Sequence, residues 1–360
     1  MSLVTTPAPT PHRGRPGPRP AVAKLLSCAT GAFIALAAAG DTPRLAAQQV
    51  ADPDFAPPIE RPEFAPGTGP LVAIDAAHNN FHTADGRYAS FAALLERDGF
   101  VVRSNEQLFT RATLARIDIL VIANALADEN VEDWTLPNPS AFTDAEIEAV
   151  EEWVSGGGSL WLIADHMPIA GNAEALAAAF GVRFYNGFAF DADGQGRATF
   201  SRSRGTLLSH AVTEGRGSGE AVDSVTTFTG QAFRVDRDVD ASPLIVLPEG
   251  FTVFLPTEAW VFSDSTPRVS GAGLYQGVAI EHGEGRAAIF GEAAGFSAQL
   301  AGPEHVKVGM NAPEAGQNYR LVLNTARWLA GRLQAPTAPS TSRSPEGPTT
   351  PPVGWHGSPE

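Results

Sequence analysis

Thr143-Asp144-Ala145-Glu146-Ile147-Glu148-Ala149-Val150-Glu151-Glu152-Trp153-Val154-Ser155-Gly156-Gly157-Gly158-Ser159-Leu160-Trp161-Leu162-Ile163 is the stretch whose reading decides the fold. Thr143 and Glu146 stand at capping-box spacing, Ile147, Val150 and Val154 recur on one helical face, and the three glycines stop the helix. Ser159 to Ile163 then reads as a strand. Upstream, Ile117 to Ala123 carries Ile119, Leu120, Val121 and Ile122 in succession, the pattern of a strand buried on both faces. Strand, helix, strand in this order calls for a right-handed crossover in a parallel sheet.

The same alternation extends outward. Leu71-Val72-Ala73-Ile74 is a short apolar run, Phe91, Leu94 and Leu95 give a helical face that stops at Gly99, and Val101-Val102 opens another strand. Asn172 is expected to cap a short helix ending at Gly181. From about 183 to 273 short β-like pieces with turn signals at Asn186-Gly187 and Glu249-Gly250 predict a β-rich insertion. Gly277 to Ile280 and Arg286 to Phe290 then flank Gly283-Glu284-Gly285 as a hairpin, and Tyr319, Val322, Leu323, Ala326 and Leu329 form a closing helix. The expectation is one α/β domain over residues 70–333 with a mostly parallel sheet.

The chain has 360 residues, 43% hydrophobic and 18% charged, which is enough apolar material for a sizeable core. Its formal net charge of -15 sets it against nucleic acid and anionic membrane surfaces as partners. Arg13, Arg15, Arg19 and Lys24 precede an apolar run from Leu25 to Gly40 and the small residues of Leu45-Ala46-Ala47, the order of a secretory signal. That run is too short to span a bilayer, so residues 1–47 are expected to be removed, leaving no stable membrane anchor and a periplasmic or secreted protein. The single cysteine, Cys28, lies inside this leader, so a thiol nucleophile or zinc-thiolate site is not expected after export. Residues 48–69 read as an extended lead-in and residues 334–360 as a Pro/Ser/Thr-rich tail, both expected to be disordered.

Several catalytic signatures are absent, among them G-x-x-x-x-G-K-[ST], G-x-S-x-G and H-E-x-x-H. What stands out is polar residues placed directly after apolar strands, where open α/β sheets bind ligands. Asp75-Ala76-Ala77-His78-Asn79-Asn80-Phe81-His82 follows the first strand, Asp165-His166 ends the strand after the glycine triplet, and Glu292 follows Ala287-Ala288-Ile289-Phe290. Asp75, His78, Asp165, His166 and Glu292 are therefore the candidate catalytic residues, with Asn79, Asn80 and His82 as candidate ligand-binding residues. Each has a structural alternative: an ordered loop around Asp75 and His78, an amide-bonded Asp165, a turn cap at Glu292. His210 and His282 read as surface residues, and Asp191-Ala192-Asp193-Gly194 lacks EF-hand spacing.

The strand ending in Asp75, the helix from Tyr88, the strand at Asp118 to Ala123, the Gly156-Gly157-Gly158 turn with its following strand, the Asp-x-x-His-x-x-Phe-His string and Gly291-Glu292-Ala293-Ala294 together resemble the class I glutamine amidotransferase-like superfamily over about residues 69–333. Within it the chain looks like an exported branch. The resemblance implies a flavodoxin-like, doubly wound sheet with its site where the first, third and fourth strands end. Active members carry a nucleophilic Cys on the turn after the fourth strand; this chain has Ala164-Asp165-His166-Met167 there and no His-x-Glu pair, so glutaminase chemistry is excluded. Two readings stay open. One is a hydrolase-like enzyme, in which His78 or His166 is a base or ligand to a divalent metal; the other is a module binding a small molecule, carbohydrate, peptide or protein. In either, the carboxylates and imidazoles are expected to meet at one edge of the sheet.

Overall fold

The structure, a computed structural model, describes residues 49–194 and 196–333. The leader with Cys28 and the tail from 334 lie outside the described residues. A nine-stranded sheet forms the centre: β1 (Leu71–Asp75), β2 (Val101–Asn105), β3 (Ile119–Ala123), β4 (Ser159–Ile163), β5 (Val182–Phe184), β6 (Phe233–Val235), β7 (Ala241–Val246), β8 (Tyr275–His282) and β9 (Gly285–Phe290). Their order is β2-β1-β3-β4-β9-β8-β6-β5, with β7 also on β8. The β2-β1-β3-β4-β9 portion is parallel throughout, and every pairing beyond β9 is antiparallel.

Among the described residues four helices of eight or more residues flank this sheet: α1 (Ala89–Arg97), α2 (Asp144–Ser155), α3 (Ile169–Ala179) and α4 (Asn318–Leu329). The all-apolar strands face both ways because side chains alternate along a strand. Val72, Ile74, Val121, Trp161 and Ile163 point to one side, with Phe91, Leu94 and Leu95 of α1 and Leu321, Val322 and Leu329 of α4. Leu120, Ile122, Leu160 and Leu162 point to the other, against Val150 and Val154 of α2 and Ile169, Ala173 and Leu176 of α3. Each fully buried side chain of this kind contributes roughly 1.5–3 kcal/mol of transfer free energy, so the parallel strands are the cohesive centre of the domain.

The helix read from Thr143 to the glycines is present as α2, with Thr143 and Glu146 forming a reciprocal capping box. Gly157 has φ +109°, and a Cβ at Gly158 would collide with the Trp153 ring, so the triplet allows both the turn and the close pass back into β4. The predicted hairpin is β8–β9, with Gly283 at φ +60° in its turn. Three expectations need correction. Residues 183–273 are β-rich, but β6, β7 and the end of β5 belong to the main sheet, because β8 turns the sheet antiparallel and offers them an edge. Only part of the segment stands apart, as a three-stranded sheet of Phe188–Phe190, Thr252–Phe254 and Arg268–Ser270 and a ribbon of Arg197–Ser201 with Ser224–Phe228.

Asn172 does not cap α3, whose N-cap is Pro168; its amide is used inside the fold, donating to Asn130 Oδ1 at 2.8 Å and Pro139 O at 2.7 Å. Nor is the described part of the lead-in disordered. Gln49–Ala51 pairs with Ala298–Ala301, Phe64 packs edge-on against Phe100 at 5.0 Å, and Glu63 N donates to Asp98 Oδ1 at 3.0 Å. Asp98 in turn holds Arg327 of α4 through two bonds of 2.8 and 2.6 Å, with both side chains at most 1% exposed. The apolar residues among the prolines and this buried ion pair give the lead-in something to pack on.

Candidate functional site

β4 and β9 are parallel neighbours with Ile163 opposite Phe290. Two residues beyond that register come Asp165 and Glu292, which is why residues so far apart in sequence emerge side by side. Both are buried. Asp165 Oδ1 accepts from His166 N at 2.8 Å, and Glu292 Oε2 accepts from Gly295 N at 2.8 Å. Burial raises the Asp165 carboxyl above its ordinary range, partly offset by the His166 charge and by hydrogen bonds from His166, Asn124 and Ala293. Burial and then the charge of Asp165 push Glu292 well above the usual range, against the backbone N–H groups of Gly295, Phe228 and Ala294. The pair therefore titrates as a unit and retains a proton where free carboxylates have lost theirs.

Tyr88, at the N-cap of α1, donates from its hydroxyl to Ala293 O at 3.0 Å. Burial and the charges of Glu292 and Asp165 hold its own proton on well above the phenol range. Its ring lies 4.7 Å from that of His82. Asn124, at φ +53° directly after β3, accepts from Asp165 N at 3.0 Å through Oδ1, so its Nδ2 must donate to His82 Nδ1 at 3.2 Å. That bond assigns the neutral His82 its proton on Nε2, a buried donor with no protein partner. Burial, then the Arg87 charge, lowers His82 to about 3, so it is neutral at physiological pH.

The first-strand loop behaves differently. His78 Nδ1 lies 2.9 Å from Asp75 Oδ2 and Nε2 lies 3.0 Å from Glu146 Oε1, while the ring sits between Phe109 and Phe142 at 4.6 and 4.8 Å. Burial alone would lower its pKa, but the hydrogen bonds and charges of Asp75 and Glu146 outweigh it and raise it. Glu146 is itself held as carboxylate against burial by the Thr143 N–H, His78, the Thr143 hydroxyl and the Phe109 N–H. Both ring nitrogens are thus occupied, and no hydrogen bond or ion pair of the described residues joins Asp75 or His78 to Asp165 or Glu292. The expected five-residue cluster is two clusters: a clamp of Asp75, His78 and Glu146, and a carboxyl pair with Tyr88, His82 and Asn124.

Asn79 and Asn80, expected to bind ligand, are used to shape the loop. Asn79, at φ +47°, donates to Asp128 Oδ1 at 2.9 Å, and Asn80 Oδ1 accepts from His78 N at 3.1 Å. His210 is not a surface residue: it is buried, its Nδ1 accepts from Val212 N at 3.2 Å, and burial and Arg286 lower it to about 4. His282 pairs with Glu151 at 2.7 Å. Among the described residues no group of three or more His, Cys, Asp or Glu side chains is placed to hold a metal ion, which leaves the divalent-metal expectation without a geometric basis in them.

His166 lies in an aromatic collar that sequence reading did not find. Its ring stacks on Phe188 at 4.3 Å and meets Trp260 edge-on at 4.7 Å, while Trp134 stands 6.2 Å away and Phe262 packs on Phe188 at 5.2 Å. Trp260, at φ +67°, is 47% exposed and Phe262 38%. The loops carrying the collar are tied together by Ala259 N donating to Trp134 O and Leu136 N to Thr257 O. Exposed aromatics of this size beside a polar site are what mark a binding surface. Glu146, Asn124 and Tyr88 also escaped notice, because a helix cap, a post-strand Asn and a helix-starting Tyr each have an ordinary local explanation.

No protein-family model matches the chain, and no curated protein matches it. Among solved structures, the mmIFT52 N-terminal domain aligns at a TM-score of 0.48 with 14% identity, covering 72% of this chain and 96% of that one. A ThuA-like protein from Bacteroides uniformis aligns at 0.40 with 13% identity over 76% and 94%, and a cytoplasmic protein from Salmonella typhimurium at 0.39 with 16% identity over 72% and 98%. Among the described residues no helix is long and apolar enough to cross a membrane.

Proposed function

We propose that the chain is an exported domain of the class I glutamine amidotransferase-like kind, flavodoxin-like in its sheet. Its strand-end site, built on Asp165 and Glu292, performs hydrolase-like acid–base work on a small polar ligand and no glutaminase chemistry. The β2-β1-β3-β4 order followed by a fifth parallel strand is the flavodoxin-like order, and it supports the fold reading. The observation that carries the functional reading is the buried carboxyl pair. Two acids with raised proton affinity, one able to give a proton and the other to take one, are the usual material of general acid–base catalysis. Asp165 and Glu292 follow the neighbouring strands β4 and β9 at the edge where open α/β sheets bind ligands, and His166, next to Asp165, packs among Phe188 and Trp260 of the collar.

The test is a screen of small esters, amides and glycosides against the purified protein for turnover, repeated with Asp165→Asn and Glu292→Gln. Turnover lost in both variants, with folding intact, supports the reading; turnover indifferent to both ends it. The collar favours a second reading, a non-catalytic module binding a carbohydrate, peptide or protein. Saturable binding lost in Trp260→Ala, with the ligand recovered unchanged, would select it. Export is tested by mass spectrometry of the protein from its host, where the leader is expected to be missing and an intact N-terminus would refute it.

A further inference from the structure

Among the described residues three imidazoles follow the parallel strands β1 and β4: His78, His82 and His166. Their hydrogen bonds fix which ring nitrogens carry protons, because a carbonyl oxygen only accepts and an amide nitrogen only donates. His78 has both nitrogens on carboxylates, so neither offers a lone pair to a ligand. His82 Nδ1 accepts from the Asn124 amide at 3.2 Å and its proton is on Nε2, so this ring can only donate. His166 is the reverse. Its Nδ1 lies 2.7 Å from the Met167 carbonyl oxygen, which puts the proton of the neutral ring on Nδ1 and the lone pair on Nε2.

A flipped ring would bring Cδ2 to that carbonyl, well inside the roughly 3.3 Å of a C–H···O contact, and the stack on Phe188 at 4.3 Å with Trp260 edge-on at 4.7 Å holds the ring plane. No hydrogen bond from the described residues reaches His166 Nε2, and it is not among their buried unpaired atoms, whereas His82 Nε2 is. Of the three rings, His166 therefore has the lone pair that is open to a ligand. Protonating Nε2 leaves the Nδ1 bond in place, so the ring gains a proton without losing a partner. We infer that His166 Nε2 is the proton acceptor of the site, taking the proton of a ligand hydroxyl or a bound water, with the Met167 carbonyl orienting the ring and His82 confined to donating. The O–H bond breaks, the oxygen keeps its electron pair, and an Nε2–H bond forms. The new charge lies beside Asp165, whose proton affinity it lowers, so the carboxyl pair is disposed to give up a proton as the ring takes one. This inference rests on the reading of Asp165 and Glu292 as the site.

Two measurements on the wild-type protein test this without a substrate. ¹⁵N NMR is expected to show the neutral His166 protonated on Nδ1 and His82 protonated on Nε2. Diethyl pyrocarbonate, which acylates an imidazole nitrogen through its lone pair, is expected to modify His166 near neutral pH and to spare His78 and His82, as read by peptide mapping. A neutral His166 with its proton on Nε2 would overturn the inference, and so would modification of His82 ahead of His166. Any turnover found with small esters, amides or glycosides should fall about a hundredfold in kcat in His166→Asn, with KM little changed; an unchanged kcat there also overturns it. The tautomers and the labelling do not depend on turnover, so turnover indifferent to Asp165→Asn and Glu292→Gln, which ends the functional reading, is a separate result.

Discussion

Replacing His78 with Leu separates a structural clamp from a catalytic base. The ring nitrogens stand 2.9 and 3.0 Å from Asp75 and Glu146, and the imidazole is 3% exposed, so solvent does little to screen either contact. Removing the imidazolium leaves two buried carboxylates facing a leucine, and breaking a buried ion pair from one side costs about 3–5 kcal/mol. Against a total stability of about 5–15 kcal/mol, that is a large share. The sign with pH follows from the raised His78 pKa. Its stabilisation is complete below the unfolded value of 6.5 and is lost as pH rises through the folded value. Urea unfolding followed by tryptophan fluorescence at pH 6 and pH 9 should therefore show wild type losing stability on going to pH 9, and His78→Leu losing the most at pH 6. A deficit under about 1 kcal/mol at pH 6, or one that grows toward pH 9, would refute the clamp and return His78 to the list of candidate bases.

Glu292→Gln is expected to stabilise the fold. The folded carboxyl binds its proton more tightly than the unfolded reference of 4.5, so the wild type loses stability as pH rises above that value and the variant's advantage grows between pH 4 and 7; urea midpoints that fall in the variant at pH 7 would contradict this. Asp98→Asn leaves the buried Arg327 with Glu220, 3.2 Å away, as its remaining carboxylate partner and should cost about 2–3 kcal/mol, while Asp98→Leu with Arg327→Met recovers part of it; additive losses in calorimetry would show that the pair is not coupled. Trp260→Ala, at a site 47% exposed, should change stability by no more than about 0.5 kcal/mol. Yet it should weaken ligand binding about tenfold by titration calorimetry, and equal affinity would remove the collar from the site.

What the sequence determined by itself is the parallel core and the strand ends that carry Asp165 and Glu292. The runs at Leu71, Ile119 and Ser159 have no polar alternation, so they had to lie between two layers, and the capping box with the glycine triplet located α2. Those signals are local, set by side-chain period and backbone freedom, and need no knowledge of partners. From them alone Asp165 and Glu292 were placed at strand ends. What they could not show is which polar residues share a partner. Glu146 read as a helix cap and is also the second carboxylate on His78; Asp75 and His78 read as members of one cluster and belong to another. The choice depended on α2 packing beside the first-strand loop, on β4 and β9 being neighbours, and on the loops at Trp134 and Trp260 meeting over His166. Hydrogen-bond partners and burial are set by contacts between elements far apart in the chain, so only the tertiary structure decided which candidates were occupied and which were left with raised proton affinity at the sheet edge.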